Sequence, residues 1–162
     1  MNTTAVKDKV WIFMGSKVDS PHVARIEEWL DRFGVEHEAR IASAHKTPRR
    51  LLKILEELEA REGNFVYIAV AGLSNALSGM LDFATARPVI SCPPLCEAYG
   101  GADIWSSIRM PPGVAPGFVL DPRNAAILAA KILGLSSPEL AAKVKAFQDE
   151  QAGKIESDEA AL

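Results

Sequence analysis

Val35-Glu36-His37-Glu38-Ala39-Arg40-Ile41 runs into Ser43-Ala44-His45-Lys46-Thr47-Pro48, and the two runs together spell strand, loop and helix. The first alternates Val35, His37, Ala39 and Ile41 against Glu36, Glu38 and Arg40, a period of two that marks a half-exposed edge strand. In the second, Thr47-Pro48 reads as an N-cap and a first helical residue: the hydroxyl can accept from an orphan backbone N–H, and proline has no donor to waste. Leu51, Leu52, Ile54, Leu55 and Leu58 then give the apolar side of a helix ending near Gly63. The loop between strand and helix offers an imidazole, an ammonium and two hydroxyls at a helix N-terminus, where free N–H groups and the dipole favour anions.

The chain on either side repeats this unit. Val10-Trp11-Ile12-Phe13-Met14 is continuously apolar, as expected of a strand buried on both faces of a parallel sheet. It ends at Gly15-Ser16-Lys17-Val18-Asp19, and Ser20-Pro21 opens a helix with Val23, Ile26, Leu30 and Phe33 on one stripe and Gly34 at the C′ position. Downstream, Phe65 to Val70 is a buried strand followed by the tight loop Ala71-Gly72-Leu73-Ser74-Asn75, and a helix is expected over Ala76 to Ala84. Pro88 to Cys92 is a fourth strand, 101–109 a short helix, Phe118-Val119-Leu120 a fifth strand. Asp121-Pro122 caps a helix reaching Gly134, and Ser137-Pro138 begins the last one.

Five strand-loop-helix units with crossovers of this length imply an α/β fold: a single-domain, flavodoxin-like three-layer sandwich with a central parallel sheet. An edge second strand beside a buried first strand suits the order 2-1-3-4-5. Residues 1–8 are expected to be a disordered N-terminus, 9–156 the α/β domain, and 157–162 a frayed C-terminus. The last helix carries Leu140, Ala141, Val144 and Phe147 after the sheet is complete, so it is expected to serve in homo-oligomer contacts.

Composition narrows the function. At 162 residues with a net charge of -3, the chain has no basic patch or Lys/Arg run, which argues against nucleic-acid and anionic-membrane partners. No apolar run approaches the ~20 residues of a membrane span, and Met1-Asn2-Thr3-Thr4 lacks a signal-peptide core. Cys92 and Cys96 fit a reduced cytoplasmic protein, and without further Cys or His neighbours they do not indicate a metal site.

In such a sheet the loops Gly15–Asp19, Ser43–Thr47, Ala71–Asn75 and Ser91–Leu95 open on one edge. Gly15-Ser16 would let backbone N–H groups and a hydroxyl approach a phosphate, or is simply a tight turn; it is neither a Walker loop nor a dinucleotide fingerprint. Asp19 is placed to bond a ribose diol or to cap a helix. His45 alone among three histidines sits in a strand-to-helix loop, where an imidazole can exchange a proton near neutral pH. Its bland reading is an ordinary loop histidine, and that of Lys46 a solvated surface lysine. His22 and His37 read as surface or packing residues, and Cys92 as a small buried hydrophobe.

The same loops carry a family resemblance. Gly15-Ser16-x-x-Asp19, Ser43-Ala44-His45-Lys46-Thr47-Pro48 and Met110-Pro111-x-Gly113 resemble the PurE family of de novo purine biosynthesis from about Val10 to Leu135. The mutase branch of that family has a second histidine in a Gly-Gly-Ala-Ala-His-Leu-Pro-Gly stretch. Here that stretch is Ala71 to Gly79, without histidine. Lys46 where mutases have arginine, Pro88 to Pro94, and Asp103-Ile104-Trp105-Ser106-Ser107-x-Arg109 are similar to the second branch, the class II aminoimidazole ribonucleotide carboxylases. Val18 and Leu73 depart from the pattern, which has serine and arginine there, and leucine replaces neither the charge nor the donors of a guanidinium.

The resemblance implies carboxylation of 5-aminoimidazole ribonucleotide by carbon dioxide without ATP, biotin or metal, with no cofactor, in a cytoplasmic homo-octamer. It implies that His45 takes the proton from ring carbon 4 and Lys46 stabilises the new carboxylate. Ser16, Ser43 and Lys46 would take the phosphate and Asp19 the ribose hydroxyls. Gly72, Ser74 and Asn75 would line the ring and carbon dioxide site beside a Pro93-Pro94 wall, with Gly15, Ala44 and Ala71 completing the substrate-binding loops. The competing readings are the mutase, a non-catalytic flavodoxin-like nucleotide- or FMN-binding module, and a relative whose Val18 and Leu73 mark another azole ribonucleotide.

Overall fold

In the computed structural model, which describes residues 8–161, the sheet is built on β1 (Asp8–Met14) and β3 (Asn64–Val70). They pair in parallel from Asp8↔Asn64 to Met14↔Val70. β2 (Glu36–Ile41) lies outside β1, while β4 (Val89–Ser91) and the two-residue β5 (Gly117–Phe118) extend the other side. All neighbours are parallel and the order is β2-β1-β3-β4-β5. Asp8 is the first strand residue and belongs to the sheet, its carboxylate accepting from Asn64 Nδ2 at 3.0 Å. The rest of the expected N-terminal tail lies outside the described residues.

The pleat divides the central strands between two cores. Val10, Ile12 and Met14 face the same side as Val66, Ile68 and Val70, and are covered by α1 (Ser20–Phe33), α5 (Pro122–Gly134) and α6 (Pro138–Ala160). Trp11, Phe13, Phe65, Tyr67 and Ala69 face the other side, under α2 (Pro48–Glu59) and α3 (Ala76–Phe83). Both faces of β1 and β3 are therefore apolar, which is why neither strand alternates. β2 has a neighbour on one edge only, and its residues are half-buried or exposed.

Local chemistry sets the helix ends. α1 buries Val23, Ile26, Leu30 and Phe33, and stops at Gly34, whose φ of 69° suits a residue without a Cβ. α2 stops at Glu59, before the expected Gly63, because Arg61 N bonds to Leu58 O and tightens the last turn. Residues 101–109 form a 3-10 turn at Ala102–Ile104 and then the single-turn α4 (Trp105–Ile108), after Gly100 and Gly101 have taken left-handed conformations. β5 begins one residue before the expected Phe118 and ends there, although Val119 N still reaches Ser91 O at 3.0 Å.

α6 differs most from its expected use. Leu140 and Val144 are buried on this chain's own core, and the Phe147 ring stands edge-on to Trp29 and Phe33, with centroids 5.3 and 5.7 Å away. Arg32 covers Phe147 and donates to Glu150 at 2.8 Å. The apolar side chains assigned to a neighbour are thus largely consumed within the chain. The helix continues through Ala160, past the expected Ser157 boundary, and 148–160 are exposed.

Candidate active site

Ser16 and Asp19 hold the first loop of the sheet's carboxyl edge by a reciprocal capping box. Ser16 Oγ accepts from Val18 N at 3.3 Å, and Asp19 Oδ2 accepts from Ser16 N at 3.0 Å. Burial raises the Asp19 pKa, opposed by the Ser16 hydrogen bonds and by His22. A Cβ on Gly15 would have ordinary contacts with Ala71 and Asp19, which brings the first and third loops side by side.

The His45 loop closes on itself. Thr47 Oγ1 accepts from Ser43 N at 2.9 Å and donates to Ser43 O at 3.3 Å, and Ser43 Oγ accepts from Lys46 N at 3.1 Å. Thr47 therefore makes no side-chain cap to α2, contrary to the expectation, because its hydroxyl turns back into the loop. That closure fixes the backbone on both sides of His45 and Lys46 while leaving both side chains exposed.

The third loop is held from behind. Asn75 is buried, and its Oδ1 caps α3 at Ser78 N, 3.1 Å away. Its Nδ2 donates to Ser91 Oγ and Ser107 Oγ, each at 3.0 Å, and its backbone N donates to Ser106 Oγ at 2.9 Å. Asp103 Oδ2 accepts from both Leu73 N and Cys96 N, tying this loop to the segment after β4. Leu73 is the one described non-glycine residue with positive φ, at 61°. A Cβ on Gly72 would come within 3.1 Å of Pro94 O, so a side chain there would push the two loops apart by a few tenths of an ångström.

Together the loops enclose a cavity of about 910 Å³. Gly15, Ser16, Asp19, Ser43, Ala44, His45, Lys46, Ala71, Gly72 and Ser74 all line it. Asn75 does not, and of the expected proline wall Pro94 lines the cavity while Pro93 is buried. Ser106 and Arg109 line a separate groove of about 490 Å³ with Trp105.

Sequence reasoning missed the wall that α1 contributes. Pro21, His22 and Arg25 line the cavity, as do Val18, Leu73, Leu77, Leu95 and Cys96. His22 Nε2 lies 3.3 Å from Sγ of the buried Cys92. Burial pushes the Cys92 thiol up to about 12, which removes it as a nucleophile. Burial, then Arg25, lowers the His22 pKa against the opposing pull of Asp19, a hydrogen bond to the Cys92 backbone, and Asp121. The spacing Asp19 to His22, three residues apart across a helix start, is the signal that would have placed both on one wall.

The cavity can therefore bind a ligand with an anionic end and a hydroxylated middle, and can move a proton at His45. Its residues fall within a match to the family model described as AIR carboxylase, which covers residues 9–154. The chain is 48% identical over 147 residues to the phosphoribosylaminoimidazole carboxylase of Archaeoglobus fulgidus, covering 91% of this chain and 81% of that one. It is 41% identical over 152 residues to the N5-carboxyaminoimidazole ribonucleotide mutase of Vibrio vulnificus, covering 91% and 94%. The crystal structure of Treponema denticola PurE superposes with a TM-score of 0.94 at 44% identity, over 96% of this chain and 99% of that one.

Proposed function

The chain belongs to the AIR carboxylase family, and from that premise we propose that it carboxylates 5-aminoimidazole ribonucleotide at ring carbon 4 with carbon dioxide in purine biosynthesis. The observation that carries the direct use of carbon dioxide is the Ala71–Asn75 loop. It lines the cavity together with the His45 loop and contains no ionisable side chain where the mutases of the resemblance have their second histidine.

The amino group of the substrate makes the ring enamine-like, so carbon 4 is itself the nucleophile. It attacks carbon dioxide, forming the carbon–carbon bond and leaving a carboxylate and a tetrahedral carbon that still bears its proton. His45 takes that proton, the ring regains aromaticity, and the imidazolium returns the proton to water. Lys46 places a fixed positive charge beside the new carboxylate. Ser16 and Ser43 serve the phosphate and Asp19 the ribose hydroxyls, while Gly72 and Ser74 face the ring against the Pro94 wall. Asn75 acts from behind, holding the loop.

We assign the activity to the unit 9–156, and extend the reading to a cytoplasmic homo-octamer. Exposed Phe83, Trp105 and Leu135, each more than half accessible in the single chain, support assembly. Light scattering on the purified protein tests the mass. The reaction is tested by supplying aminoimidazole ribonucleotide and bicarbonate without ATP, alongside fresh N5-carboxyaminoimidazole ribonucleotide with carbonic anhydrase controlling carbon dioxide. Turnover that follows free carbon dioxide supports the carboxylase; preferential use of the N5-carboxy compound makes the protein a mutase.

A further inference from the structure

The reaction above uses neither His22 nor His37, yet His22 forms part of the cavity wall. It stands one helical turn beyond Asp19 and one before Arg25, both of which line the same wall. The Asp19 carboxylate can accept from hydroxyl groups at this wall.

The ring is anchored from below. Nε2 lies 3.3 Å from Cys92 Sγ, while the Cys92 thiol faces Leu120 O at 3.8 Å. With the thiol proton directed to that carbonyl, the sulfur receives the Nε2 proton, an assignment that follows from the hydrogen-bond network. The charged groups around the ring are Asp19, Arg25 and Asp121, and burial with Arg25 keeps the ring neutral at pH 7. A neutral imidazole protonated on Nε2 has an acceptor at Nδ1. The Cys92 backbone also takes a hydrogen bond from this ring, so both anchoring contacts come from Cys92.

We propose that His22 is a second ribose-binding residue, its Nδ1 accepting from one hydroxyl of the substrate's vicinal diol while Asp19 accepts from the other. This rests on the substrate being a ribonucleotide. Two adjacent acceptors match the two O–H donors of a vicinal diol, and the deoxy analogues below separate that contact from one to the two N–H donors of the 5-amino group. Cys92 is then a positioning residue that fixes the ring's tautomer and edge.

The test compares wild type, His22→Ala and His22→Asn, in which the amide oxygen replaces Nδ1 as acceptor. Each is titrated with 5-aminoimidazole ribonucleotide and its 2′-deoxy and 3′-deoxy analogues, and kcat is measured with the first. His22→Ala should raise Kd and KM for the ribonucleotide about tenfold, the worth of one hydrogen bond, with kcat falling less than threefold. His22→Asn should restore most of the loss, and for one deoxy analogue wild type and His22→Ala should bind alike. A penalty that persists for both analogues, or that His22→Asn fails to relieve, overturns the diol contact, as does no penalty at all. Wild-type protein that neither binds nor carboxylates the ribonucleotide overturns the proposed reaction, and this contact with it.

Discussion

The Asn75 amide donates to the Ser91 hydroxyl across 3.0 Å of protein interior, and this bond joins the loop after β3 to the last residue of β4. One side chain thus caps α3 and spans to Ser91 and Ser107, so the cavity loop in front of it is positioned by a buried polar network. Asn75→Ala removes the cap and strands two buried hydroxyls, and should destabilise the fold by about 2–4 kcal/mol. Urea unfolding with an unchanged m-value checks this. A loss below about 0.5 kcal/mol would show that the hydroxyls find other partners.

The strand order was legible because β1 and β2 differ so plainly in pattern: one is apolar on both faces, the other alternates. The loops of the cavity followed from topology, since every parallel strand ends on the same edge. His22 and Arg25 were hidden because they lie on a helix, and a lone helical histidine has no pattern of its own. Only its spacing from Asp19 pointed inward. The resemblance puts Asn75 in the lining, although an asparagine just before a helix is equally an N-cap, and the buried side chain caps α3. Thr47 went the other way: its hydroxyl had two possible partners, and the loop closure with Ser43 won. The role of α6 could not be read at all, because an apolar stripe does not say which chain it covers.

Leu73 holds a left-handed conformation, at φ 61°, with its N–H on Asp103 and its carbonyl accepting from Ser106 Oγ at 3.0 Å. That conformation costs a leucine about 1–2 kcal/mol, while glycine there costs about 0.5–1 kcal/mol in extra unfolded-state freedom. Leu73→Gly should therefore stabilise the fold by up to about 1 kcal/mol, measured by the shift in urea midpoint. Leu73→Arg places a guanidinium at the cavity wall and should lower KM for the ribonucleotide severalfold. An unchanged KM would show that an arginine at this position makes no contact with substrate.

The two cysteines should separate chemically. Cys92 is buried and its thiol is pushed up to about 12, whereas Cys96 is partly exposed on the cavity wall. At pH 8, iodoacetamide should modify Cys96 alone, Cys92 reacting only after denaturation, and bound ribonucleotide should slow the Cys96 reaction. Mass spectrometry of the peptides reads both results. Early labelling of Cys92 would mean that the His22 side of the cavity opens in solution.

His22 also predicts a pH dependence. Its folded pKa lies below the ordinary value of 6.5, so between the two the unfolded chain binds more protons than the folded one. Its contribution to stability is complete above about pH 6.5 and is lost as pH falls from there toward the folded pKa. Melting temperatures of wild type and His22→Asn should converge as pH is lowered from 7 to 5. Parallel curves over that range would mean that the imidazole is as well solvated as in the unfolded chain.

His45→Asn tests the reaction itself. The loop around His45 is closed by hydrogen bonds between Thr47 and Ser43 in which the imidazole takes no part, so replacing the ring leaves the scaffold and the other cavity walls in place. A general base contributes about 10²–10⁴-fold to rate, so turnover should fall by at least the lower figure while ribonucleotide affinity stays within about tenfold. Lys46→Ala should act differently, weakening the carboxylated ribonucleotide more than the uncarboxylated one, because only the former carries the carboxylate beside which its charge is placed. Isothermal titration with both nucleotides separates the two residues. Near-full turnover in His45→Asn would move the proton transfer to another group, and the other imidazole on the cavity wall is His22.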